Sequence, residues 1–321
     1  MTLSKRLIIL ALITLTTLSG CVPRVRNVLV TNYPTEFLIQ SLAGNRVKVS
    51  RLDTGSTIQS AGLVEDYAKL IKEADVIFYI NELQPYWELV KDDLTQADLK
   101  MIDLAEFTSL YPFKRYTTLR GGESTSAVVE GDYYNGISDT DLDMYLQDPV
   151  LWVDPKTMTS MASTIKDWLV ATYPDDKAIF EANFETLKVD LVRLQADFSL
   201  LKESPEPLGL VSMTPSFGNW QKSFDISIYP VILSKYGVLP SERELTIIRE
   251  RIINDGISHI IYEEGMDEAT ESLYNKLKTE LDLTEVKLSS LYNLSPEDAE
   301  LKVNYITKMY QNLETLEGLA K

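Results

Sequence analysis

Short β-branched runs alternate with longer amphipathic runs along this chain, and the alternation occurs twice, on either side of one uninterrupted helical stretch. In the first half, residues 27–31, 47–52, 76–80 and 101–104 read as strands, with helices expected over 36–43, 64–73 and 86–93. In the second half, strands are expected over 208–213, 228–233, 259–262 and 285–288. Helices are expected after Asp154-Pro155 and over 218–224, 241–253, 268–280 and 296–316. Strand–helix alternation at this spacing requires parallel sheets, because a parallel pair needs a crossover long enough to hold a helix. Between the halves, Ile179, Ala182, Leu187, Leu191, Leu194, Phe198 and Leu201 recur at helical spacing. That helix would be about 35 Å long at 1.5 Å per residue. The expected fold class is α/β: two lobes, each with a mainly parallel sheet flanked by helices, joined by one long rigid helix. The expected divisions are 1–20, a leader; 21–27, a tether; 28–173, the first lobe; 174–204, the linking helix; and 205–321, the second lobe. The polar stretch 121–143, rich in Gly, Ser and Asp, is expected to be a long loop.

The leader has a positive start at Lys5 and Arg6, then an apolar run over 7–18 that is short for a membrane span. Leu18-Ser19-Gly20-Cys21 follows and resembles the bacterial lipoprotein signal, in which cleavage exposes the cysteine for acylation. Cys21 is the sole cysteine, so the mature chain has no disulfide partner. The expected location is the extracytoplasmic face of the cell membrane, held through a lipid anchor, with the chain a monomer. Losing Lys5 and Arg6 takes the formal net charge from −17 to about −19, a field that repels phosphate backbones. Nucleic acid is therefore not an expected partner.

Residue chemistry excludes more than it proposes. The chain has a single histidine, His259, which removes histidine-based zinc motifs and the material for a Ser-His-Asp triad. Glu263 and Glu264 are adjacent, so on a strand they face opposite sides and do not form an acid/base pair. An enzyme is not expected. Asp139, Asp141, Asp143 and Asp148 lie in one loop, and the first three have the D-x-D-x-D spacing of a calcium loop, but Met144 stands where glycine is required. A solvated loop and a calcium site both remain open for this run.

Several short segments fall in an order that carries a resemblance. They are Leu42-Ala43-Gly44-Asn45-Arg46-Val47, Glu73-Ala74-Asp75-Val76-Ile77 and Asp148-Pro149-Val150-Leu151-Trp152-Val153-Asp154-Pro155. Tyr173-Pro174, Asn183, Leu191, Ser216-Phe217-Gly218 and the stretch from Tyr305 to Leu316 follow. Together they resemble the zinc/manganese ABC-transporter solute-binding lipoproteins over nearly the whole mature chain. The resemblance implies two α/β lobes joined by a rigid helix, an ABC permease and its ATPase as partners, and a divalent metal ion as cargo between the lobes. It carries the family's metal positions onto Gln59, Val150, Thr214 and a place near Lys235. Glu263-Glu264-Gly265-Met266-Asp267 resembles E-S-S-V-D, making Asp267 the retained ligand.

A zinc site takes about four N, S or O ligands at 2.0–2.3 Å. Valine has no lone pair, and neutral glutamine and threonine oxygens are poor zinc ligands. Calcium accepts such oxygens but usually takes six to eight of them. The sequence thus implies the architecture and role of the family with metal binding weak or absent and no certain cofactor. Two readings of Lys235 stand together: a surface lysine, or a cleft ammonium paired with Asp267 where a metal would sit. The expected function is a lipid-anchored solute-binding protein of an ABC importer. The alternatives are a binding protein repurposed for a non-metal solute and a surface adhesion or accessory lipoprotein.

Overall fold

In the computed structural model, which describes residues 25–81, 83–110, 114–121, 125–132, 145, 147–204 and 207–320, all eight expected strands form, within three residues of their expected ends. The chain opens with β1 (Arg26–Val30), α1 (Tyr33–Ala43) and β2 (Val47–Arg51). A short hairpin, β3 (Asp53–Thr54) with β4 (Gly62–Leu63), precedes α2 (Tyr67–Glu73), β5 (Val76–Tyr79), α3 (Trp87–Gln96) and β6 (Lys100–Asp103). An antiparallel ribbon, β7 (Lys114–Gly121) with β8 (Thr125–Asp132), leads towards α4 (Pro155–Thr172) and α5 (Lys177–Ser199). The second half contributes β9 (Gly209–Ser212), α6 (Gly218–Phe224), β10 (Ser227–Pro230), α7 (Glu242–Asn254) and β11 (His259–Tyr262). It ends with α8 (Glu268–Glu280), β12 (Thr284–Lys287), α9 (Pro296–Glu300) and α10 (Tyr305–Leu319).

The two sheets share one topology. The first has the order β2-β1-β5-β6 and the second β10-β9-β11-β12, with every pairing parallel. Alternation along the strands sorts residues between faces. Val28 and Val30 join the central core that also holds the long helix, and Leu29 turns to the opposite face with Ile71, Ile77 and Val90. In the second sheet, Leu210 and Ile261 face the central core while Val211 and Ile260 face away. The core is therefore continuous through both lobes. Helix α5 buries Phe180, Leu187, Leu191, Leu194 and Phe198 against it, and Asn183 ties the helix to α1 by donating to the Leu42 carbonyl at 2.8 Å.

Three expectations need correction. Part of the stretch expected as a loop is the ribbon β7–β8, which pairs from Lys114↔Asp132 to Gly121↔Thr125; Val128 and Val129 outweigh the surrounding Gly and Ser. The helix expected over 296–316 is two helices. Lys302 takes a left-handed φ of 55°, and Asn304 starts α10 afresh by accepting the Thr307 amide at 3.0 Å. Helix α1 starts earlier than its apolar period, at Tyr33, because Asn32 accepts the Thr35 amide and Pro34 sits in the first turn.

Candidate functional site

An open parallel sheet offers a ligand crevice at the carboxyl ends of its strands, where the chain order reverses. With these strand orders, the reversal lies between β1 and β5 in one lobe and between β9 and β11 in the other. Both places collect buried polar groups. Beyond β1 and β5 stand Thr31, Asn32 and Gln84, and Asp53 follows β2. Beyond β9 and β11 stand Thr214, Ser216 and Glu263.

In the second lobe the chemistry centres on Glu263, which is 2% exposed. Thr214 Oγ1 donates to Glu263 Oε1 at 2.5 Å, and the Ser216 hydroxyl lies 2.5 Å from Thr214 Oγ1. Ser212 Oγ donates to the Thr214 carbonyl at 2.6 Å, which fixes the turn. Burial raises the Glu263 carboxyl above its ordinary range; Thr214, then Ser290, Ser216 and Ser212, counter that shift. Oε2 completes no hydrogen bond among the described residues. Glu264, next along, points outward and is exposed.

In the first lobe Asp53, 2% exposed, accepts a hydrogen bond from the Tyr292 hydroxyl, which reaches across from the second lobe. Burial pushes the Asp53 carboxyl up to about 7, against the lowering effects of Tyr292 and Arg51. Neighbouring bonds join the lobes along the same seam. Tyr33 N donates to the Tyr292 carbonyl, Arg51 Nη1 donates to Asn293 Oδ1 at 2.7 Å, and Asn293 Nδ2 donates to the Gly55 carbonyl.

The residues expected from the sequence fall into three groups. Val150 and Thr214 are buried at the seam, the latter bonded to Glu263. Gln59 stands at the seam too, but its amide donates to the Ile232 and Ser234 carbonyls at 3.1 and 2.9 Å, binding the lobes together. Asp267 lies elsewhere: it is exposed and caps α8, accepting from the Thr270 amide and hydroxyl at 2.9 Å each. Those hydrogen bonds lower its pKa. The structure puts Glu263, not Asp267, beside Thr214. Lys235 and Asp267 have different partners, for the Lys235 ammonium lies 5.9 Å from the centre of the Tyr145 ring. Cys21, Asp139, Asp141 and Asp143 lie outside the described residues.

Asp148 belongs to the scaffold. Its carboxylate accepts from Val150 N at 2.9 Å and from Asn219 N and Nδ2 at 2.5 and 2.8 Å. The rest of its segment is equally engaged. Trp152 Nε1 donates to the Ser290 carbonyl, Tyr305 Oη donates to the Trp152 carbonyl, and Trp220 Nε1 donates to the Val153 carbonyl. Asp154 caps α4 and accepts from Ser223. Residues 148–155 thus fasten one lobe to the other without a metal ligand among their side chains at the Val150 position.

Beside Glu263 the seam opens into a groove of about 680 Å³. Gly55 and Ser56 of the first lobe, Tyr262 to Gly265, Lys287 to Ser290 and Gln311 of α10 contribute to its walls. Sequence reasoning missed the groove, Ser290 and the Asp53–Tyr292 contact, since each depends on lobe docking. The one available signal was a carboxylate following directly on the apolar strand β11.

The positions carried over by resemblance do not fit a zinc ion. Val150 offers no donor, the Gln59 amide nitrogen is engaged by carbonyls, and Thr214 supplies a neutral hydroxyl that already bonds Glu263. Among the described residues no three His, Cys, Asp or Glu side chains gather as a metal cluster.

Two α/β lobes meeting at their strand ends across a seam, with one helix braced along both, define a two-lobed solute-binding protein. Residues 28–318 match the family described as zinc-uptake complex component A, periplasmic, and the chain belongs to that family. It is a family of solute-binding proteins, not enzymes. The zinc-binding lipoprotein AdcA of Streptococcus pneumoniae is 26% identical over 294 residues, covering 90% of this chain and 55% of AdcA. The high-affinity zinc uptake system protein ZnuA of Bacillus subtilis is 23% identical over 172 residues, covering 54% of this chain and 53% of ZnuA. The chain spans about half the length of these curated relatives. Among solved structures, the Zn(II)-bound ZnuA-like domain of Streptococcus pneumoniae AdcA superposes with a TM-score of 0.65 at 24% identity, covering 92% of this chain and 98% of the domain. The laminin-binding protein Lbp of Streptococcus pyogenes superposes with a TM-score of 0.69 at 17% identity, covering 92% of this chain and all of that one.

Proposed function

We propose that this chain is the extracytoplasmic solute-binding component of an ABC importer, anchored through Cys21, with a cleft that holds zinc or manganese weakly or not at all. One observation carries the second half of this reading: Thr214 donates to Glu263 at 2.5 Å where a cation would have to intervene. A cargo ion there would have one carboxylate and neutral hydroxyls, without an imidazole or thiolate to supply soft coordination. Transport itself asks less of the site chemistry than of the lobes. A solute enclosed between them stabilises a closed form that a permease and its ATPase recognise, and a helix packed against both lobes restricts how far they separate.

Zinc titration against a chromogenic chelator tests the reading. The unaltered protein is expected to leave the chelator's zinc in place, and the triple variant Gln59→His, Val150→His, Thr214→His is expected to withdraw one equivalent. Tight one-to-one zinc uptake by the unaltered chain would overturn the weak-metal reading. The same architecture also serves a non-metal solute, an alternative favoured by the 680 Å³ groove beside the Thr214–Glu263 contact.

A further inference from the structure

We propose that the outward face of α5 is the contact surface of a weak two-fold homodimer, in which the α5 helices of two copies pack antiparallel. Helix α5 is apolar on two sides. Leu187, Leu191, Leu194 and Phe198 are buried in the core. Ala178, Ala182, Val189, Val192, Ala196 and Leu200, the last in the turn that ends the helix, are exposed. At about 100° per residue, the exposed set points about 180° away from the core set. A surface helix ordinarily carries charged and polar residues on that side. Val189, Val192 and Leu200 are instead 55%, 57% and 58% exposed. Valine also lowers helix propensity, so on a solvent face neither packing nor propensity accounts for the two. One exposed valine is ordinary, but an apolar line along a helix marks an interaction surface. The line is about 33 Å long at 1.5 Å per residue. Its steps of seven residues from Ala182 to Val189 to Ala196, with Val192 between, are those of a helix pair.

A second copy is the occupant because the stripe complements itself. About a two-fold axis between Asp190 and Leu191, Val189 of each copy meets Val192 of the other, and Ala182 meets Ser199. Glu185, which interrupts the stripe, meets Ala196 instead of its own counterpart. On the flanks, Glu181 of one copy approaches Lys202 of the other, and Arg193 approaches Asp190, its partner at 3.8 Å within one helix. A parallel pair would set Glu185 against Glu185 and Lys188 beside Arg193, like charges at both places. Charge therefore selects the antiparallel arrangement. Two helices of this length bury on the order of 1,000 Å² in total, at the low end of specific interfaces, so the association is weak. Confinement at a membrane through the proposed anchor would raise its occupancy. On this proposal the monomer expected from the sequence is one half of a weak dimer.

The mature chain carrying Cys21→Ser has no other cysteine, which makes it the material for the test. Sedimentation equilibrium is expected to give a monomer–dimer Kd of about 100 µM or tighter. Val192→Glu is expected to weaken it at least tenfold without lowering the melting temperature, since glutamate is the better helix former. For register, Val189→Cys and Val192→Cys are oxidised separately and as a mixture, with Ser272→Cys on α8 as the exposed control. The mixture is expected to cross-link several-fold faster than either variant alone, and the control slowest. The proposal falls if the chain stays monomeric to about 1 mM, whether the stripe is then free or covered by the permease. It falls too if Val192→Glu leaves association unchanged, or if each variant cross-links to itself faster than to the other. No metal enters these measurements, so their outcome is independent of the weak-metal reading.

Discussion

Asp53 and Glu263 are two of the carboxylates buried near the seam, with Asp148 and Asp154, and different surroundings hold them. Glu263 is served by hydroxyls of its own lobe, while Asp53 is served by Tyr292 from the other lobe. Burial raises Asp53 from near 4 to about 7, so the folded state binds its proton more tightly than the unfolded chain does. Its contribution to stability is full below about pH 4 and is lost as pH rises through 7. The melting temperature is therefore expected to fall between about pH 4 and pH 7. Asp53→Asn, which keeps an acceptor for Tyr292, should flatten that part of the profile, and a pH series of melts on both proteins checks it. At about 1.4 kcal/mol per unit, the effect amounts to a few kcal/mol at most. Asp298 and Glu285, whose pKa values are lowered, act in the opposite direction at more acid pH.

Loops, not helices or strands, bring the lobes into register. Gly55 opens the loop that carries Gln59 with a φ of 107°, and a side chain there would meet the Ser60 carbonyl oxygen at 2.6 Å. Gly265, after β11, has a φ of 86°, and a Cβ on it would lie 2.3 Å from the Ser56 side chain. Two surfaces touch there with no room for a methyl group. Gly265→Ala is expected to destabilise the protein by about 1–3 kcal/mol through strain and overpacking. It should also speed hydrogen exchange in the loop carrying Gln59. Adding Ser56→Gly should relieve the overlap but not the backbone strain, so stability should return only in part. Unchanged exchange in that loop would mean the contact does not hold the lobes.

At the scale of the whole molecule, the continuous core and the braced α5 make the two lobes one mechanical unit with a short seam. The seam collects the buried polar groups Asp53, Thr214 and Glu263, and the proposed anchor at Cys21 precedes β1. Under the proposed cleavage and anchoring at Cys21, a formal net charge near −19 would repel an anionic membrane surface, so retention there would depend on the lipid. Cys21→Ala is expected to move the protein from the membrane fraction to the soluble fraction without changing its melting temperature. Fractionation of cells expressing both forms reads this directly, and a membrane-bound variant would refute the anchor.

How much of this was legible depended on the range of the interactions involved. The strands could be read from runs such as Val76-Ile77-Phe78, and α5 from apolar residues spaced along one face, because period and burial are local consequences of side-chain order. The ribbon β7–β8 was less legible, since Val128 and Val129 sit in a stretch whose composition signals a loop. Resemblance along the chain put Gln59, Val150, Thr214 and Lys235 in a cleft; the structure has the Gln59 amide donating to the Ile232 and Ser234 carbonyls and Thr214 bonded to Glu263. The choice between Asp267 and Glu263 was not decided by spacing. They stand four positions apart, and only the end of β11 and the start of α8 send one carboxylate inward and the other to a helix cap. The sequence by itself determined the alternation, the twin sheets, the bracing helix and the presence of a single histidine, all properties of residue type and order. The tertiary structure alone decided which polar groups meet at the seam. Glu263, Ser290 and Lys287 come together only when separate strand ends are packed side by side, and the first lobe's Ser56 joins them only when the lobes dock.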